Sequence, residues 1–147
     1  MKQKINHSCK GELQQMDLRA TPARIAIMQL LEATQEPVDV GSIVVSLQKK
    51  SIAADPATVF RIMNVFTQKG LIVPIEFQEG KMRYELASKD DHHHLVCENC
   101  GKVEDIEDTL VPALEKHIHS YHHFLVKRHV MEFFGLCKKC QKKEKNN

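Results

Sequence analysis

The sequence predicts an α+β protein in two parts, an N-terminal winged helix-turn-helix over residues 1–86 and a small metal-ligand-rich domain over residues 87–147. Three observations predict it. Two Thr/Asp-Pro pairs open apolar stripes at helical spacing in the first part. Two alternating apolar runs around a Gly-containing turn then close that part. Finally, eight of the nine His and four of the five Cys crowd into the second part.

Composition bounds the answer first. The chain has 147 residues, a net charge of +2, 42% hydrophobic and 27% charged residues. These values are ordinary for a globular chain and exclude a disordered or collagen-like one. No apolar run approaches the roughly 18–20 residues that span a bilayer. The opening MKQKINHSCKGELQQ lacks the apolar core of a secretion signal. The chain therefore reads as cytoplasmic, with no membrane partner. In that compartment metal explains a cluster of Cys better than disulfides do.

Each element has its own signal. Thr21-Pro22 is a hydroxyl N-cap followed by proline at the first helical position, where a missing N–H costs nothing. Ile25, Met28 and Leu31 follow at helical spacing. Val40, Ile43, Val44 and Leu47 mark a second helix. Asp55-Pro56 opens a third, with Val59, Ile62, Met63 and Phe66 as its stripe and Gly70 just past its end. Leu71, Val73, Ile75 and Phe77 then alternate, as do Met82, Tyr84 and Leu86, with Gln78-Glu79-Gly80 between them. That pattern is a hairpin.

Three helices and a hairpin make the third helix the recognition helix. Arg61, Asn64 and Gln68 fall opposite its apolar stripe, and Phe60 points away from the stripe's centre. Arg and Asn can read guanine and adenine edges, and Phe can meet a thymine methyl. The plain alternative is a solvated outer face, with Phe60 packed under the hairpin.

The second part carries the metal chemistry. Cys97-Glu98-Asn99-Cys100 and Cys137-Lys138-Lys139-Cys140 are two CxxC pairs separated by 36 residues. Four thiolates close a tetrahedral site with no open position, which is structural zinc. A redox pair is the competing reading, and the gap requires a folded segment between the pairs. Cys9 reads as a bystander thiol. Asp91-His92-His93-His94 precedes Cys97. On a strand, His92 and His94 share one face and His93 takes the other. Two imidazoles with carboxylates such as Glu85 and Asp105 suit Fe(II), Zn(II), Mn(II) or Co(II). His117, His119, His122 and His123 follow Pro112 on a helix and read as partly exposed. His129 lies in LVKRHVMEFFG, an apolar run expected to be a strand. It would be a ligand only if it faced His93. The tail QKKEKNN reads as solvated.

These pieces together resemble the ferric uptake regulator family of metal-responsive repressors. LRATPAR (18–24) resembles its first-helix signature. DPATVFR (55–61) resembles its recognition motif, with Phe60 where Tyr is usual. QKGLI (68–72) and RYEL (83–86) are similar to its hairpin. DHHHLVCENCGKVEDI (91–106) and HVMEFFGLCKKC (129–140) resemble its metal-rich domain. The resemblance implies a C-terminal α/β dimerisation domain and a homodimer on a palindromic double-stranded DNA operator. It implies structural zinc, one per chain, on Cys97, Cys100, Cys137 and Cys140. A second divalent metal, Fe(II) favoured with Zn(II) or Mn(II) as alternatives, would sit at a hinge site of Glu85, His92, His94 and Asp105. DNA contacts would fall on Thr58, Phe60 and Arg61, with Arg19 as a minor-groove arm and Asn64 from the outer face.

Three departures qualify the resemblance. Glu36 stands where the family places a sensing-site His. A further family site falls on His93, Pro112 and His129, so its helix Glu is missing unless Asp91 or Glu115 replaces it. Asp105 resembles the peroxide-sensing branch, whereas Arg61 resembles the iron branch. A peroxide- or zinc-sensing member is therefore the alternative within the family. Outside it, the rivals are a metal-dependent hydrolase and a zinc-stabilised protein-interaction module. No general base or nucleophile is evident, so the chain is read as no enzyme.

Overall fold

The computed structural model describes residues 8–89, 92–107 and 109–144. Asp91 and the last three tail residues lie outside them. The chain divides into two units, residues 1–88 and 89–147.

The first unit begins with a helix the sequence reading did not foresee, α1 (Cys9–Gln15). It has no side-chain cap, and Cys9 and Leu13 anchor it in the core. Helix α2 (Pro22–Ala33) starts as expected: Thr21 Oγ1 accepts from the Arg24 amide at 3.4 Å. A two-residue strand, β1 (Val38–Asp39), was also unforeseen. Asp39 ends it and caps α3 (Val40–Lys49), accepting from the Ser42 amide at 2.7 Å. Asp55 caps α4 (Pro56–Gln68) in the same way, accepting from the Thr58 amide at 2.6 Å. Gly70 follows with φ +71°, a left-handed position that glycine takes without a Cβ penalty.

Strands β2 (Ile72–Glu76) and β3 (Met82–Leu86) form the expected hairpin. β1 joins the free side of β3, so the sheet order is β1-β3-β2. Pro74 sits within β2, which is tolerable because β2 is an edge strand. Ile27, Met28, Ile43, Leu47, Val59, Met63 and Phe66 from α2, α3 and α4 form one buried core. This is the winged helix-turn-helix of the expected α+β class.

The second unit is a three-stranded sheet of order β5-β4-β6. β4 (His92–Cys97) is central, β5 (Val103–Glu107) pairs with it antiparallel, and β6 (Glu132–Gly135) pairs with it parallel. Parallel partners need a crossover, and β5 with helix α5 (Val111–His122) provides it. Helix α6 (Lys138–Glu144) ends the described chain. The strand expected over LVKRHVMEFFG is shorter than the run. Only its last four residues pair, and residues 123–131 have no regular structure. Apolar side chains there are open to solvent, with Val130 84% and Leu125 70% exposed. Buried apolar side chains in this unit, among the described residues, are Val96, Cys97, Val103, Val111 and Cys140. No helix among the described residues is long and apolar enough to cross a membrane.

Candidate metal centres and DNA-facing helix

The parallel pairing of β4 with β6 explains the wide gap between the CxxC pairs. Cys97 lies beside Gly135, so both strands deliver their cysteines to one end of the sheet. The Glu98 amide donates to the Gly135 carbonyl at 2.8 Å and fastens that end. Gly101, at φ +71°, makes the turn after the first pair, and its amide donates to the Cys97 carbonyl at 2.8 Å. The four sulfurs lie within 4.8 Å of one another, with Cys100 and Cys137 at 3.8 Å.

The electrostatics of this cluster call for a cation. The amide of Cys137 donates to Cys97 Sγ at 3.3 Å. With the Cys100 and Asn99 amides it holds the Cys97 thiol down to about 6, so that sulfur is a thiolate at neutral pH. Cys140 is pushed the other way, to about 12, by burial first and then by hydrogen bonding to its neighbouring sulfurs. Cys137 is also lowered, by the Cys140 amide first, so the resistance to ionisation falls on Cys140. A dication reverses that resistance, because coordinating thiols are deprotonated outright. Four convergent sulfurs, grouped with no carboxylate among the described residues, fit tetrahedral zinc.

The His tract behaves as a strand should. His92 and His94 share a face with their ring centroids 4.8 Å apart. The β4–β5 register puts Asp105 directly across from His94. Asp105 Oδ1 lies 3.8 Å from His94 Nε2 and 3.9 Å from His92 Nε2. Lys89 Nζ approaches the other Asp105 oxygen at 3.6 Å. The second unit thus presents two imidazoles and a carboxylate on one patch. Register adds two carboxylates that sequence reading missed: Glu107 opposite His92 and Glu132 beside His94. No local signal marks them, since strand pairing alone brings them there.

Of the two carboxylates expected from the first unit, Glu85 is buried on β3, paired with Val73 on β2. Glu36 is exposed, two residues before Val38, which pairs with Tyr84. β1 therefore leads Glu36 toward the β3 end that carries Glu85.

His93 takes the opposite face and meets His129 at 5.1 Å between ring centroids. His129 Nδ1 lies 3.1 Å from Glu115 Oε1 on α5. Pro112 occupies the first turn of α5, and Glu115 lies one turn further on. His119 and His123 do not make a helical pair, because His123 is the left-handed C-cap of α5 at φ +51°.

On α4, Val59, Ile62, Met63 and Phe66 are buried, while Phe60, Arg61 and Asn64 are exposed and Thr58 is half-buried. Phe60 is 50% exposed. Arg61 Nε donates to the Ala57 carbonyl at 3.3 Å, and Arg61 Nη2 to Thr58 Oγ1 at 3.5 Å. The guanidinium is thus laid along the N-terminal half of the helix. Arg19 is exposed, and its carbonyl accepts from Arg24 Nη1 at 3.1 Å.

Comparison with known proteins bears on the family and the fold. The family model described as "Ferric uptake regulator family" matches residues 15–134. The ferric uptake regulation protein of Bacillus subtilis is 32% identical over 139 residues, covering 92% of this chain and 93% of that protein. The peroxide operon regulator of the same organism is 30% identical over 132 residues, covering 90% of each. The solved structure of the Helicobacter pylori ferric uptake regulator superposes with a TM-score of 0.79 at 23% identity. It covers 90% of this chain and 88% of that one, and at that identity it speaks for the fold.

Proposed function

The chain belongs to the ferric uptake regulator family, and from that membership and its own residues we propose that it is a cytoplasmic transcriptional repressor, not an enzyme. It binds a palindromic operator as a homodimer when a divalent metal, Fe(II) foremost, fills a site at the junction of its two units. The observation that carries this reading is the β4–β5 register, which gathers His92, His94 and Asp105 on one face. Imidazole and carboxylate donors suit divalent first-row metals. Glu85 completes the set from the first unit, with Glu36 as a further carboxylate.

Only residues 87–91 join Leu86, the end of β3, to His92, the start of β4. Ligands drawn from both sides of so short a connection restrict how the winged unit can turn. The metal shifts the population only to the extent that it binds the DNA-competent arrangement more tightly than the others. Two recognition helices must then meet successive major grooves about one helical turn apart. Arg61, Phe60, Asn64 and Thr58 make the contacts there, and Arg19 reaches from the arm.

Cys97, Cys100, Cys137 and Cys140 hold structural zinc, one per chain. The ion would neutralise the thiolates and cross-link the two ends of the second unit. The exposed apolar segment around Leu125 and Val130 supports a homodimer, since a patch of that kind marks an interface. His93 and His129, with Glu115 one turn beyond the expected position, form a third metal position. Glu115 replaces the missing carboxylate at Pro112.

Asp105 and the 30% identity to a peroxide operon regulator favour a second reading in which the same site reports peroxide; zinc sensing is the remaining variant. Anaerobic titration of the zinc-retaining protein onto DNA from upstream of its own gene separates them. Fe(II), Mn(II) and Zn(II) are compared in turn, and a peroxide pulse follows. The metal acting at the lowest free concentration is the signal, and loss of binding after the pulse identifies the oxidant sensor. Unchanged affinity with every metal defeats the reading.

A further inference from the structure

The wing carries a cation that none of the sites above uses. Lys81 leaves the hairpin tip one residue before β3 and is 48% exposed at its side chain. Its Nζ lies 2.5 Å from Asp39 Oδ2. Asp39 meanwhile caps α3 through its other oxygen, Oδ1. Among the described residues, Glu79 and Arg83 are the other charges in this group. Glu79 Oε2 is 3.8 Å from Lys81 Nζ, but Glu79 is itself held by Arg83, Nη2 to Oε1 at 2.8 Å. The Arg83 guanidinium is also fixed over the Phe77 ring, 5.8 Å from its centroid. Asp39 is therefore the principal counter-charge of Lys81.

The position of this pair matters. Asp39, Gly41, Phe60, Lys81 and Met82 line one groove of about 390 Å³ between the recognition helix and the wing. Phe60 projects from α4 on the outer side, next to Arg61. A duplex seated against Phe60 and Arg61 would bring its sugar-phosphate backbone past that groove. The approaching phosphate is an anion that competes with Asp39 for the ammonium.

We propose that Lys81 is a backbone-phosphate contact of the wing, and that Asp39 restrains it in the free protein by occupying the phosphate's place. The ligand is double-stranded DNA, and the contact carries affinity without sequence information. The proposal rests on the DNA-binding reading above and adds one residue and one restraint to it.

The test is the salt dependence of binding to a fluorescent duplex from upstream of the chain's own gene, with metal present. Each phosphate neutralised contributes about 0.9 to the slope of log K against log salt. Two chains in a dimer bring two Lys81 contacts, about 1.8 in slope. Between 50 and 200 mM salt the wild type should then lose about twelvefold more affinity than Lys81→Met. Asp39→Asn keeps an N-cap residue for α3 while removing the carboxylate charge. It should bind several-fold more tightly than the wild type. Thermal melting of both variants checks that the first unit stays folded.

A Lys81→Met slope equal to that of the wild type, beside an Arg61→Ala variant that has lost affinity, overturns the Lys81 contact while the DNA reading stands. An Asp39→Asn affinity equal to that of the wild type overturns the restraint. A wild type that holds no duplex at any salt fails the DNA reading and this proposal with it.

Discussion

Removing one thiolate from the four-cysteine cluster should unfold the second unit and leave the first standing. Buried apolar side chains in the second unit amount to three valines and two ligating cysteines among the described residues. At about 1.5–3 kcal/mol per buried valine, that core provides about 5–9 kcal/mol before any ordering cost. Structural zinc in small domains contributes about 10–16 kcal/mol. Metal is thus the larger favourable contribution, and the valines alone cannot offset the entropy of ordering the sheet. The first unit differs: α2, α3 and α4 bury a continuous core that includes no metal ligand. Cys97→Ser should therefore abolish zinc retention. In hydrogen exchange, amide protection should vanish across β4, β5 and β6 and persist in α2, α3 and α4. Native-state exchange resolved by peptide, with zinc content measured in parallel, reads both at once. Undiminished protection in β4 and β6 of a zinc-free variant would refute the argument.

Three further outcomes follow from the same geometry. Arg61→Ala should weaken operator binding by about 1–3 kcal/mol and relax base preference, read by anisotropy on a panel of mutated duplexes. Val130→Asp should shift the chain from dimer to monomer in light scattering, because Val130 is 84% exposed in the single chain and a charge opposes its burial at an interface. The Asp39 carboxyl is held down to about 2 from 3.8 although burial acts to raise it, since hydrogen bonds from Lys81 and Ser42 prevail. A depressed carboxylate stabilises above its unfolded pKa, so this contribution is present above about pH 4 and is lost as pH falls toward 2. Solvent screening reduces it to about 1 kcal/mol or less. Urea midpoints of the wild type and Asp39→Asn should therefore converge across that interval.

Much of the fold was legible because its signals are local. Thr21-Pro22 and Asp55-Pro56 each fix a cap and a first turn within four residues, and both helices begin there. The alternation of His92, His93 and His94 follows from strand geometry once Cys97 places the strand. The features that were missed depend on distant partners. Helix α1 has only Cys9 and Leu13 as anchors, and Ser8 makes no side-chain cap. β1 is two residues long and exists because β3 has an open side. Glu107 and Glu132 join the His92–His94 face only through register. The run over residues 125–131 is apolar enough for a strand, yet a ladder needs a neighbour, and within one chain β6 begins only at Glu132. Glu115 meets His129 from one turn beyond Pro112 because a helix repeats its face after one turn.

The proposed metal switch requires one ion held by residues of both units. Glu85→Gln tests it most directly, since that buried carboxylate belongs to the first unit while His92, His94 and Asp105 belong to the second. The measurement is operator affinity against free Fe(II), taken anaerobically, for the wild type and Glu85→Gln with zinc content verified equal. The wild type should show a steep metal-dependent rise. In Glu85→Gln the rise should be lost or displaced to much higher Fe(II), with dimer and fold intact. Superimposable curves would contradict that requirement and confine the sensing site to the second unit.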